Sequence, residues 1–140
     1  MPFATESSLK DRRVRTYVIE PQLVFVPYLE RMLRDAGMSV VATSSDVDGK
    51  DIAALQPAAV LVDVDYFERG GPHAICRIRQ VAKSAAVIAF SGSDDPTFEA
   101  ACYISGASAV CSKREGIDKL LSAMRRAVSG SYARPLASPA

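Results

Sequence analysis

The segment Ala58-Ala59-Val60-Leu61-Val62-Asp63 decides the fold class of this chain. Its apolar residues follow one another without the polar alternation of a half-exposed strand, and an aspartate ends the run. A continuous apolar run of this kind is typical of a strand in a sheet that helices cover on both faces. The segment Ala86-Val87-Ile88-Ala89-Phe90 has the same character. Two such strands favour a parallel sheet within an α/β domain.

Three more short apolar runs predict the other strands, at 14–19, 38–42 and 107–111. Helical patterns separate the runs. The predicted helices extend from about 24–26 to 36, then over 51–55, 74–82, 96–105 and 117–128. Strands and helices thus alternate five times along the chain. This alternation predicts right-handed crossovers between parallel strands.

Apolar residues recur at helical spacing in the first predicted helix, and we expect them to pack on the sheet as one stripe. They are Phe25, Tyr28, Leu29, Met32, Leu33 and Ala36. Pro27 is compatible with this helix only in its first turn, where a proline removes no intrahelical hydrogen bond. The helix should therefore begin no earlier than about residue 24.

The composition suits one domain in a chain of 140 residues, of which 49% are hydrophobic. A net charge of +1 provides no basic surface for direct nucleic-acid binding. No apolar run approaches the roughly 18 residues of a membrane span, and residues 1–13 lack the apolar stretch of a signal peptide. We expect a cytoplasmic domain without membrane contact at 14–128, a flexible N-terminal segment at 1–13 and a flexible C-terminal tail or linker at 129–140.

Polar residues follow the predicted strands at the points where the strands end. They are Glu20 after the first strand, Asp63 and Asp65 after the third, Ser91 after the fourth and Lys113 after the fifth. Because the carboxyl ends of parallel strands meet at one edge of a sheet, these side chains should line one pocket. A carboxylate there could accept a phosphoryl group, a hydroxyl could hydrogen-bond to its oxygens, and an ammonium could neutralise its charge.

In this arrangement the chain resembles the receiver domain of two-component response regulators over about 14–128. The residues that carry the likeness are 57–63, Gly71, Ser91-Gly92, Gly106-Ala107 and Ser112-Lys113. The resemblance implies a flavodoxin-like, doubly wound (βα)5 fold, a five-stranded parallel sheet with strand order 2-1-3-4-5. It also implies that Asp63 accepts a phosphoryl group from a histidine kinase or phosphotransfer protein, and that Ser91 and Lys113 contact this group.

The likeness fails at the end of the first strand. The family usually has two adjacent acidic residues there, which hold a magnesium ion, and the second of them is the direct ligand. Here these positions are Glu20 and Pro21. We therefore expect weak Mg²⁺ binding, with Glu20 and Asp63 as weak candidate ligands and Asp65 as a substitute for the lost carboxylate. No other cofactor is expected.

Two functions remain open at this point. The chain is either a phosphorylation-controlled signalling domain or a phosphorylation-independent protein-interaction module, a pseudo-receiver, that regulates a partner or output domain. An enzyme or flavin binder is disfavoured, because Glu20-Pro21-Gln22-Leu23 is no glycine-rich phosphate loop. We expect a homodimer or a protein partner on the face of helix 4, strand 5 and helix 5, or on that of helices 1 and 5. Apolar side chains on these helices include Tyr103, Ile104, Met124 and Val128.

Overall fold

The computed structural model of the chain describes residues 13–130. The strands in this range are β1 (Arg15–Ile19), β2 (Ser39–Ser44), β3 (Ala59–Asp63), β4 (Ala86–Ser91) and β5 (Ala109–Ser112). The helices are α1 (Val26–Asp35), α2 (Gly49–Leu55), α3 (Gly71–Val81), α4 (Pro96–Ser105) and α5 (Ile117–Val128). The segments predicted to be flexible, 1–13 and 129–140, lie almost wholly outside the described residues.

All strand pairs in this range are parallel, and the sheet has the order β2-β1-β3-β4-β5. The predicted doubly wound (βα)5 fold with strand order 2-1-3-4-5 is therefore confirmed. The register places Asp63 beside Phe90 and Ser91 beside Ser112. The carboxyl ends of β3, β4 and β5 consequently lie at one edge of the sheet.

Helices cover both faces of the sheet, which explains why β3 has no polar alternation. Val60 and Val62 face a core formed with α2, α3 and α4, whereas Leu61 faces a second core formed with α1 and α5. Successive residues of a strand point to opposite faces, so a strand between two cores needs apolar residues at every position. All five residues of β3 are buried.

The start of the first helix differs from the predicted stripe. Residues 23–25 form a 3-10 turn before α1 begins at Val26, so Pro27 lies in the first turn as predicted. Leu29 and Leu33 are buried, but Phe25 and Tyr28 are 48% and 64% exposed. The prediction that Phe25 and Tyr28 pack on the sheet is wrong. They lie at the amino end of the helix, where they line a cavity beyond the ends of the strands.

Helix α2 begins two residues earlier than predicted, because Asp48 caps it. The Asp48 carboxylate accepts a hydrogen bond of 3.0 Å from the backbone N–H of Asp51. Such a cap satisfies an N–H group that has no partner within the helix. The helix ends at Gln56, which has the left-handed backbone conformation with φ of 45°.

The close approach of α3 to the end of β3 requires a glycine at position 71. A Cβ at this position would lie 2.5 Å from the Cβ of Val64 and 2.7 Å from its carbonyl oxygen. We expect Gly71→Ala to lower the free energy of unfolding by about 1–3 kcal/mol, because the backbone must shift to admit the methyl group. Urea unfolding would measure the change.

Gly49→Ala is the matched control for this prediction. A Cβ at Gly49 would meet Val81 at an ordinary contact distance of 3.4 Å, so this variant should be about as stable as the wild type. A Gly71→Ala protein that unfolds at the same urea concentration as Gly49→Ala would contradict the prediction.

Candidate functional site

The pairing of β4 with β5 places Lys113 at the same edge as Asp63. The backbone N–H of Lys113 donates to the carbonyl of Ser91 at 2.8 Å, which continues the parallel ladder one residue past β5. The side chain then returns over the sheet edge, with its Nζ above the rings of Tyr66 and Phe90 at 5.2 and 5.7 Å from their centroids.

The Lys113 ammonium contacts two carboxylates at once. Its Nζ lies 2.8 Å from Asp63 Oδ2 and 2.8 Å from Asp65 Oδ2. Burial lowers the pKa of Lys113, but the hydrogen bonds to Asp63 and Asp65 outweigh it, so the pKa is raised. Lys113 is therefore a cation throughout the physiological pH range.

Asp65 joins the ends of β4 and β5 through both of its carboxylate oxygens. The hydroxyl of Ser91 donates to Oδ1 at 2.6 Å, and the backbone N–H of Gly92 donates to Oδ2 at 2.8 Å. Burial raises the pKa of Asp65, but hydrogen bonds from Lys113, Ser91 and Gly92 more than compensate and hold it below its usual value. The Ser91 oxygen also accepts from the backbone N–H of Ser93 at 3.0 Å, so this hydroxyl is fully engaged.

Asp63 is buried and makes contacts through both of its oxygens. Its Oδ1 accepts the backbone N–H of Asp65 at 3.1 Å, and its Oδ2 is the oxygen that meets Lys113. Its side chain is 4% exposed. Asp63 thus has the position that the sequence predicted for it, at the end of the central strand and in contact with the lysine.

Glu20 lies beside Asp63 and is 2% exposed. One of its carboxylate oxygens accepts the backbone N–H of Gln22 at 3.0 Å. Burial raises the pKa of Glu20 to about 7, the N–H of Gln22 opposes this, and a hydrogen bond with Asp63 adds to it. Glu20 therefore keeps its proton to a higher pH than an exposed glutamate does, because burial beside a second acidic side chain disfavours its charged form.

These residues fit a magnesium ion poorly. Pro21 supplies no carboxylate, and burial beside Asp63 raises the pKa of Glu20 to about 7, which makes Glu20 a poor anionic ligand near neutral pH. Asp65 turns both oxygens toward hydrogen-bond donors and the lysine ammonium. Within residues 13–130 no group of three or more His, Cys, Asp or Glu side chains could hold a metal ion.

An aromatic-lined cavity of about 380 Å³ opens above Glu20, Asp63 and Lys113. Its walls include the rings of Phe25, Tyr28, Tyr66 and Phe90. A molecule that reaches Asp63 from this side must therefore pass these rings. The sequence pattern assigned the rings of Phe25 and Tyr28 to the core. They line the cavity instead because the start of α1 is exposed.

The surfaces expected to bind partners are only partly as the sequence suggested. Ile104 on α4 is 74% exposed, whereas Met124 on α5 is fully buried in the core and contributes nothing to a surface. Tyr103 is partly buried, and its hydroxyl accepts the backbone N–H of Val110 at 3.2 Å. Among the described helices, none has the length and hydropathy that crossing a membrane would require.

Sequence reasoning placed Asp65 at this edge but missed its partners. The prediction considered Asp65 only as a substitute metal ligand, because two residues of extended chain return a side chain to the same side. The contacts with Ser91, Gly92 and Lys113 depend on the course of the loop after Asp63. The spacing Asp-Val-Asp was the one available signal, and it does not identify the contacts.

Comparison with known proteins agrees with this geometry. A family model described as the response regulator receiver domain matches residues 17–125. The signal receiver domain of the putative response regulator NarL from Mycobacterium tuberculosis is 21% identical, with a TM-score of 0.74 over 84% of this chain and 98% of that one. The response regulator domain of Thermotoga maritima CheB is 20% identical, with a TM-score of 0.73 over 84% and 98%.

A two-component response regulator of the LuxR family from Aurantimonas is 22% identical, with a TM-score of 0.74 over 88% of this chain and 91% of that one. No curated protein sequence matches the chain. At these identities the solved structures establish the fold, and the family model covers most of the chain. Together with the fold and the polar edge, this match establishes that the chain belongs to the family of response regulator receiver domains of two-component signalling.

Proposed function

We propose that this receiver domain accepts a phosphoryl group on Asp63, slowly, because its magnesium site is degraded. The observation that supports this most strongly is the contact of 2.8 Å between Lys113 Nζ and Asp63 Oδ2. A fixed cation beside the acceptor stabilises negative charge that arrives with a phosphoryl group. The aromatic-lined cavity provides the approach to the same carboxylate.

The transfer itself needs few groups from the protein. An Asp63 oxygen attacks phosphorus and forms a new O–P bond, while the bond from phosphorus to the leaving group of the donor breaks. That leaving group departs with the electron pair. It is the imidazole of a phosphohistidine in a kinase or phosphotransfer protein, or a carboxylate when the donor is an acyl phosphate. Positioning and charge stabilisation supply most of the catalysis in such a step. The domain acts as a substrate and signalling module, without an enzymatic activity on other molecules.

Magnesium is proposed to bind weakly, with Glu20 and Asp63 as its candidate ligands. Mg²⁺ prefers carboxylate and water oxygens in octahedral geometry. The raised pKa of Glu20 lowers the negative charge available to the ion, and Pro21 adds none. No other cofactor is proposed, and the cytoplasm is the proposed location.

A phosphorylation-independent role is the second candidate. The low exposure of the Asp63 side chain, 4%, and the use of both its oxygens favour it. In that case the domain regulates a partner or output domain through surface contacts alone. The proposed surfaces are that of α4, β5 and α5, where Ile104 is exposed, and that of α1 and α5. A homodimer through either surface is included in this proposal, and no nucleic acid is expected to bind these described residues directly.

Labelling with an acyl phosphate in the presence of Mg²⁺ tests the role of Asp63. We expect intact mass spectrometry to detect one slowly added phosphoryl group in the wild type and none in Asp63→Asn, because an amide is no nucleophile toward phosphorus. Asp94→Asn is the matched control, since Asp94 pairs with Arg114 at the exposed side of the same edge, and it should label like the wild type. A wild type that stays unlabelled, or a label that survives in Asp63→Asn, would contradict the proposal.

Magnesium titration of Pro21→Asp tests the degraded metal site. We expect this variant to bind Mg²⁺ at least about 10-fold more tightly than the wild type, because even weaker perturbations around a metal typically change affinity by that factor. Pro21→Asn removes the proline without adding charge and should gain little. Calorimetry would measure both. Equal affinity in the wild type and Pro21→Asp would mean that the existing residues already form the site.

A further inference from the structure

We propose that Asp65 is an internal substitute for the phosphoryl group, which holds Ser91, Gly92 and Lys113 as a phosphorylated Asp63 would hold them. This rests on the proposed function in one respect, namely that Asp63 takes a phosphoryl group, which Ser91 and Lys113 would contact. The unmodified domain then keeps the loops after β4 and β5 in the phosphorylated arrangement. A phosphoryl group on Asp63 has to compete with Asp65 for the same donors.

The contacts of Asp65 are those that a phosphoryl group would make. A hydroxyl, a backbone N–H and an ammonium converge on its carboxylate at 2.6, 2.8 and 2.8 Å. These are the donor types that bind phosphoryl oxygens, and hydrogen bonds to an ionised acceptor are the strong ones. The three donors come from the carboxyl ends of two different strands, so one carboxylate joins the ends of β4 and β5.

The chain directs Asp65 into this position. The backbone N–H of Asp65 donates to Asp63 Oδ1 at 3.1 Å, and this hydrogen bond closes a local turn from Asp63 to Asp65. Lys113 lies at 2.8 Å from both carboxylates. The carboxylate of Asp65 therefore lies on the lysine side of Asp63, the side on which an added phosphoryl group would meet the same cation.

Other roles for Asp65 fit these contacts less well. Asp65 as a whole is exposed, but a solvated loop acid would leave its carboxylate free, whereas the Asp65 side chain is 21% exposed and both of its oxygens are engaged. Helix α4 already has its cap, because Asp95 accepts the backbone N–H of Thr97 at 2.9 Å. A metal ligand would not share an oxygen with an N–H group and an ammonium, since both repel a cation. The substitute role explains every contact of the side chain.

The first test does not depend on phosphorylation. We expect the amide proton of Gly92 to exchange with solvent about 10-fold faster in Asp65→Ala than in the wild type, because its charged acceptor is lost. Asp65→Asn keeps the size of the side chain without its charge and should give an intermediate rate. Asp94→Ala removes a neighbouring acid outside the network and should leave the rate unchanged. NMR would measure all three variants and also verify that each is folded.

The second test measures competition directly. In labelling with an acyl phosphate and Mg²⁺, Asp65→Ala should add the phosphoryl group to Asp63 several-fold faster than the wild type, and Asp94→Ala should not. A Gly92 amide that exchanges equally fast with and without Asp65 would overturn the inference, as would slower labelling of Asp65→Ala. If no variant is labelled, the proposed function of Asp63 fails, and the Gly92 exchange rate alone then decides the role of Asp65.

Discussion

The ammonium of Lys113, shared between Asp63 and Asp65 at 2.8 Å from each, is the interaction on which the polar edge of this domain depends. Two carboxylates this close would repel each other without a cation between them, and leaving the buried charge of Asp63 unpaired would be costly. The sheet supplies the cation. The backbone N–H of Lys113 donates to the carbonyl of Ser91. The pairing of β4 with β5 therefore determines the position of the Lys113 backbone at this edge.

The polar edge of the sheet links this chain to the receiver family, but it also differs from the usual sequence pattern of that family. Asp63, Ser91 and Lys113 lie at the edge where the resemblance implies, and Pro21 stands where the family usually has a second acidic residue. Asp65 adds a carboxylate beside the Ser91 hydroxyl and the Lys113 ammonium. Among the described residues, Glu20, Asp63 and Asp65 still provide three carboxylates near one lysine. The described edge thus keeps its acidic character although position 21 is a proline.

The strand pattern was sufficient to predict an α/β domain with a parallel sheet, because a strand between two cores can be recognised from an unbroken apolar run such as Val60-Leu61-Val62. The strand order 2-1-3-4-5 came instead from the resemblance to the receiver family, because alternation alone does not order the strands. It also placed the site residues, since parallel strands end at one edge. The contacts of Asp65 could not be predicted, because they depend on a loop whose course no periodicity describes. The exposure of Tyr28 was missed for a related reason. Helical spacing identifies an apolar face but not the point at which the sheet beneath it ends.

A double-mutant cycle between Asp65 and Lys113 is the most direct measurement of the shared ion pair. Urea unfolding of the wild type, Asp65→Asn, Lys113→Met and the double variant would give the coupling free energy between the two side chains. A direct contact at this partly exposed edge predicts a coupling on the order of 1 kcal/mol. Effects that add to within about 0.3 kcal/mol would mean that Lys113 does not hold Asp65, and would contradict both the organisation of the edge and the substitute role inferred for Asp65.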